Sequence, residues 1–303
     1  MSRREIECSD RAMTVGSTIG DDYSACYDRP MSSFGSLGAG IRAAVLVLLA
    51  GSTLAAAPKP DQLAAARRFY NERRYDQALE AAKLAVNTPA TASSARLIMG
   101  RARLERYRLV PTAEELDDAR ADLRGVDPRV IDARERIELQ IGLGVLLYLE
   151  ERFGSAAELL DPMVEASAAL AAEAHERALD WWATALDRQA QSLPAAERAL
   201  DYGRIVTRME QELRRDPASA AASYWLAASS RAAGDLDRAW AAASAAWVRA
   251  AFGRDHGVSL RADLDKLVTQ GIIPDKAGRA PARDRRQTAA TLAADWEAFK
   301  KIW

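Results

Sequence analysis

Cysteine and histidine are almost missing from this chain of 303 residues, which holds two of each. Both cysteines, Cys8 and Cys26, precede the apolar run AAVLVLLAGSTL at 43–54. A product cut after that run therefore has no thiol for a disulfide, a nucleophile or a metal site. The histidines, His175 and His256, fall in different elements and form no HExxH pair. No Gly-rich loop leading into Lys-Ser/Thr and no Gly-x-Ser-x-Gly turn occurs beyond the run. The paired carboxylates Asp235/Asp237 and Asp263/Asp265 offer fewer oxygen ligands than a calcium loop needs, and read as a turn and a solvated helix face. Charge of one sign is lacking too: the formal net charge is −1 and no basic face segregates, so nucleic acid or anionic lipid has no electrostatic footprint here. No catalytic residue, metal or cofactor is expected from these absences.

The apolar run is shorter than the roughly 20 residues a spanning helix needs, and Ser52 and Thr53 sit inside its end. From Met31 the sequence has one positive charge at Arg42, then the run, then Ala55-Ala56-Ala57-Pro58, which is the three-part pattern of a cleaved secretory signal. Residues 31–57 are expected to be that signal, and 1–30 a non-native or disordered leader from an over-extended translation start. Beyond residue 57 there remain 37 basic and 37 acidic side chains. A soluble periplasmic or secreted protein without a stable membrane anchor is the expectation.

What the protein has instead is alanine at helical spacing, with only 11 prolines to interrupt it. In Ser223–Trp247 a helical pattern breaks at Gly234-Asp235, after which Leu236, Ala239, Trp240, Ala243 and Trp247 recur three and four residues apart. Looser copies precede it. Residues 61–86 give a first pair, with Tyr75, Ala78, Leu79, Ala82 and Ala85 on its second helix and Asn87-Thr88-Pro89 to end it. The second has the small Gly100, a break at Val110-Pro111, a capping signal at Thr112/Glu115, and Ala119, Leu123 and Val126 as its buried stripe. The third has Gly144, then Ala156, Leu160 and Met163. The fourth carries Trp181-Trp182, then Ala199, Leu200, Gly203 and Val206. Adjacent tryptophans cannot both face one core, so one of these two is expected to be partly exposed, or covered by the terminal helix. Trp240 and Trp247 are expected to pack in the core.

The order of Leu226-Ala227, Gly-Asp-Leu-Asp, Ala239 and Ala246 resembles the tetratricopeptide repeat. The resemblance implies an all-α, right-handed solenoid of about five antiparallel helical hairpins over 58–252. The marker alanines Ala78, Ala119, Ala156, Ala199 and Ala239 are spaced by 41, 37, 43 and 40, longer than a standard tetratricopeptide, so irregular turns or a related solenoid stay open. Residues 253–303 are expected to cap the array: a helix at Val258–Thr269 ended by Gly271 to Pro274, a loop at Ala277–Arg286, and a helix at Thr288–Trp303 with Leu292, Trp296, Phe299 and Trp303 on one face.

In the repeat register Arg67, Tyr70, Arg101, Tyr148, Tyr224 and Arg231 would line a concave groove and bind a protein or peptide partner. The Lys and Asn set of the chaperone-type carboxylate clamp is missing. The expected function is a non-enzymatic scaffold of the bacterial cell envelope that takes a peptide or helix in that groove. The alternative is a periplasmic protein that binds a small molecule or glycan on exposed tryptophans.

Overall fold

A computed structural model describes residues 61–303, except for the side chain of Arg254. The leader, the signal pattern and both cysteines lie outside the described residues. Among those described, every regular element is helical and no strand occurs. Eight helices make the first four pairs: α1 (Gln62–Asn71) with α2 (Tyr75–Ala85), α3 (Ala92–Leu109) with α4 (Ala113–Arg124), α5 (Ala133–Leu149) with α6 (Phe153–Ala166), and α7 (Ala172–Gln191) with α8 (Ala195–Arg215). Then come α9 (Ala220–Ala232), α10 (Leu236–Ala250), α11 (Val258–Leu267), the short α12 (Ile273–Gly278) and α13 (Arg285–Ile302). Helix starts follow their chemistry: Asp61, Thr112, Asp132, Ser219 and Asp235 each accept a backbone N–H three residues on, satisfying a donor the helix itself cannot.

The turns after α1, α5 and α9 share one hydrogen-bond pattern. Arg73 N–H donates to Tyr70 O (3.0 Å) and Arg74 N–H to Phe69 O (2.9 Å); Glu151 and Arg152 do the same to Tyr148 and Leu147, and Gly234 and Asp235 to Arg231 and Ser230. The central residue is left-handed each time, with φ of 60° at Arg73, 60° at Glu151 and 84° at Gly234. This is a Schellman stop, which closes the last carbonyls of the first helix. The carbonyls of Arg74, Arg152 and Asp235 then receive the N–H of Ala78, Ala156 and Ala239, so three of the marker alanines sit in the first turn that each stop launches.

Each helix packs on the next in sequence, save that α11 and α12 both pack on the turn between them, Val268–Ile272. The first helices also pack on one another, α1 on α3, α3 on α5, α5 on α7, α7 on α9 and α9 on α11. Small residues set the approach. A methyl group built on Gly100 would lie 2.6 Å from Leu123 Cγ, and one on Gly144 2.6 Å from Leu160 Cγ. Ala78, Ala119, Ala156 and Ala239 are fully buried.

The fourth marker fails. Ala199 and Leu200 are exposed, and nothing approaches the place where a Gly203 side chain would stand. The buried stripe of α8 is instead Tyr202, Ile205, Val206 and Met209, because the helix begins two turns before its packed face and Tyr202 anchors that face by donating to Asp187 Oδ1 (3.0 Å).

The C-terminal helices also depart from expectation. Gly271 to Pro274 do not stop α11; the backbone passes through a π turn, Val268–Ile272, into α12, with Pro274 at its second residue, where a missing N–H costs no helical bond. The final face is split: Trp296 is fully buried, Leu292 and Phe299 are half-buried, and Trp303 is exposed. Trp296 is the hub, stacked on Phe299 and meeting Trp240 and Trp247 edge-on at 5.9 and 5.4 Å.

Candidate functional site

The four helices α1, α3, α5 and α7 converge on one cavity of about 50 Å³. Tyr70 comes from α1, Arg101 and Glu105 from α3, Glu138 from α5, and Arg177 and Trp181 from α7. Arg101 is positioned twice: its guanidinium lies 4.5 Å over the Tyr70 ring, and Nη1 donates to Glu138. Burial raises the Tyr70 hydroxyl above its ordinary range, so the ring presents a protonated phenol at neutral pH. Glu105 pairs with Arg108 at 2.8 Å, and the Arg108 guanidinium covers the Trp181 ring at 5.0 Å. On its other side Trp181 meets the edge of Tyr148 at 5.1 Å.

Of the residues singled out in the sequence, Tyr70 and Arg101 therefore stand together, and Tyr148 joins them through Trp181. Arg67 lies one turn before Tyr70 and is bound to Glu135, which also accepts from Ser94 Oγ (2.9 Å) and closes the capping box with Asp132. Tyr224 is elsewhere, half-buried with its ring edge against Trp225 at 5.6 Å. Burial and the carboxylates of Asp263, Asp180 and Asp187 push its hydroxyl upward. Arg231 is taken up by Asp275 of α12 at 2.7 Å and lies against Gly271, so the segment after α11 covers that end.

Glu105, Glu138 and Arg177 were not singled out by sequence. Arg177 and Trp181 are four apart on α7, one helical step, but nothing in the pattern says that α7 reaches a cavity shared with α1. The tryptophan pair divides as expected: Trp182 is 1% exposed and Trp181 half-buried. Trp240 and Trp247 are half-buried in the C-terminal core, and among the described tryptophans only Trp303 is exposed.

Beside this cavity, Asp180 of α7 accepts from Trp225 Nε1 at 2.8 Å, and burial pushes its carboxyl up to about 6. His175 has Nδ1 2.9 Å from Ser167 Oγ, while Nε2 lies 3.0 Å from Glu212 Oε1 without the alignment of a hydrogen bond. The serine is fully buried and its hydroxyl already donates to the Val164 carbonyl, so this trio holds the α6–α7 connection and presents no nucleophile. A second, wider hollow of about 350 Å³ lies between α6 and α8, with Trp182 at its floor and Arg208 5.5 Å over the ring. Among the described residues no group of three or more His, Cys, Asp or Glu could hold a metal ion, and no helix is long and apolar enough to cross a membrane. No family model, no curated protein and no solved structure matches this protein.

Proposed function

We propose that the protein is a non-enzymatic scaffold of the bacterial cell envelope. Its helix pairs are read as a right-handed, tetratricopeptide-like solenoid capped by 253–303, exported by the signal at 31–57. In this reading it holds a partner polypeptide at the convergence of α1, α3, α5 and α7. What carries the proposal is the cavity itself, where rigid rings and arginines, the side chains most used as binding anchors, meet from α1, α3 and α7, with α5 adding Glu138. Its volume, about 50 Å³, admits the tip of a side chain and not a helix, whose diameter is roughly 10 Å. In this reading the bound segment inserts one anchor side chain and lays the rest over the four helices.

The stacking of a small ligand or glycan on tryptophan has less support. The hollow between α6 and α8 has the volume for one, within the ~300–1,000 Å³ of ordinary ligand pockets, but the Trp182 ring at its floor is closed over by Arg208. A photo-crosslinking side chain placed at Tyr70, and another at Arg204 on the far face, tests the scaffold reading in the native host. One partner captured from position 70 and not from 204 is the expected result. Equal yields from both positions would remove the cavity from the proposal.

A further inference from the structure

The geometry points to a carboxylate, carried by the partner polypeptide, as the group that the α1–α3–α5–α7 cavity receives, with Arg177 as its counter-charge. The inference rests on the scaffold reading and names the chemistry of its anchor. Four ionised side chains line the cavity, and three are already neutralised: Arg101 and Glu138 by each other, Glu105 by Arg108. Arg177 is exposed at the lining and has no ion pair among the described residues. Its guanidinium is a planar fork whose geometry matches a carboxylate, and its charge is felt as far as the hydroxyls of Tyr70 and Tyr75. An entering cation would meet Arg101 and Arg177 with no uncompensated acid to receive it. A neutral apolar tip would leave the donors of Arg177 with water alone and gain nothing from its charge. A carboxylate fits the volume and completes the charge, while the Tyr70 and Trp181 rings fill the cavity walls. The carboxylate can be that of an acidic side chain or of a polypeptide C-terminus.

An array of random octapeptides printed in three forms separates these cases: amidated with Glu, amidated with Gln in its place, and Gln with a free C-terminus. The full-length protein, checked for helical content, is applied with Arg177→Gln and Arg204→Gln, the latter an arginine of the far face. One or both carboxylate forms should bind about tenfold better than the amidated Gln form, as one charge-assisted pair provides. Arg177→Gln should erase that preference and Arg204→Gln should keep it. Preference for the side-chain form alone, or for the free end alone, identifies the source. Equal binding of all three forms, or a preference that survives Arg177→Gln, overturns the carboxylate and leaves the scaffold reading standing. No binding of any form by the folded protein overturns both.

Discussion

The indole of Trp296 donates to Asp265 Oδ1 at 2.8 Å, and Lys300 reaches the same oxygen from one turn further along α13. The last helix is thus fixed to α11 by a polar link at the centre of an aromatic cluster, with both indole and carboxylate satisfied. Trp296→Ala should destabilise the protein by about 3–5 kcal/mol, since it removes a fully buried ring and leaves Asp265 one donor short. Urea unfolding followed by circular dichroism reads this. A loss under 1 kcal/mol would mean that α13 is not part of the folded core.

Left-handed Arg73 and Glu151 occupy the place that Gly234 fills in the third Schellman stop. A side chain there costs roughly 1–2 kcal/mol of backbone strain, less the entropy glycine gives to the unfolded state. Glu151→Gly should therefore raise stability by a few tenths to about 1 kcal/mol, and Gly234→Ala lower it by about 1 kcal/mol. If both substitutions shift the urea midpoint in the same direction, the turn assignment is wrong.

Alanine substitution at Gly100 and Gly144 tests the close approach of paired helices. The added methyl overlaps the branched carbon of Leu123 in one case and of Leu160 in the other, and both leucines are fully buried. Helix propensity alone would favour alanine by about 1 kcal/mol. Overpacking should win, with a net loss of about 1–2 kcal/mol each, and a stabilised Gly144→Ala variant would show that the pair can open without cost.

These same glycines explain how far the sequence could be read. A small residue opposite a leucine fixes the register of a helix pair locally, so Ala78, Ala119, Ala156 and Ala239 fell on buried positions, and Arg101, next to Gly100, fell on the cavity. In α8 two apolar stripes overlap, Ala199-Leu200-Gly203 and Tyr202-Ile205-Met209, and periodicity along one helix does not choose between them. Pro274 looked like a stop because a proline usually is one, yet the π turn before it delivers it to a helix start. Arg177 was missed for a different reason. Its place in the cavity depends on four first helices packing side by side, which the pattern along any single helix does not show. Tyr224 and Arg231 were placed by the same register, but α12 and the neighbouring carboxylates occupy their surroundings.

Tyr148 probes the cavity by truncation, because its half-buried ring meets the edge of Trp181, one of the cavity's walls, at 5.1 Å. Tyr148→Ala should weaken partner binding by about 1–2 kcal/mol with helical content unchanged. Tyr224→Ala, at a position packed on Trp225, should chiefly lower stability. Binding and melting measured on both variants would separate them, and the reverse pattern would move the binding surface to α9.

Asp180 should make the protein more stable on mild acidification. Its folded carboxyl titrates near 6, above the ordinary range near 3.9, because burial disfavours the charged form more than the Trp225 N–H and Arg108 favour it. The folded state therefore holds this proton more tightly than the unfolded one. Above pH 6 the ionised group opposes folding in full, a term on the order of 2 kcal/mol after allowing for its partial exposure. The term shrinks as pH falls from 6 to about 4 and is absent below. Asp122, Asp187 and Asp201 are also raised by burial and add to the trend, so the wild-type curve alone cannot isolate Asp180. Asp180→Asn can: it keeps an oxygen to accept from Trp225 and removes the charge. The variant should exceed the wild type by on the order of 2 kcal/mol at pH 7.5 and by far less at pH 4.5, as read from urea midpoints at each pH. A constant difference between the two proteins across that range would falsify the raised carboxyl, since only a group that titrates within the window can make the gap close.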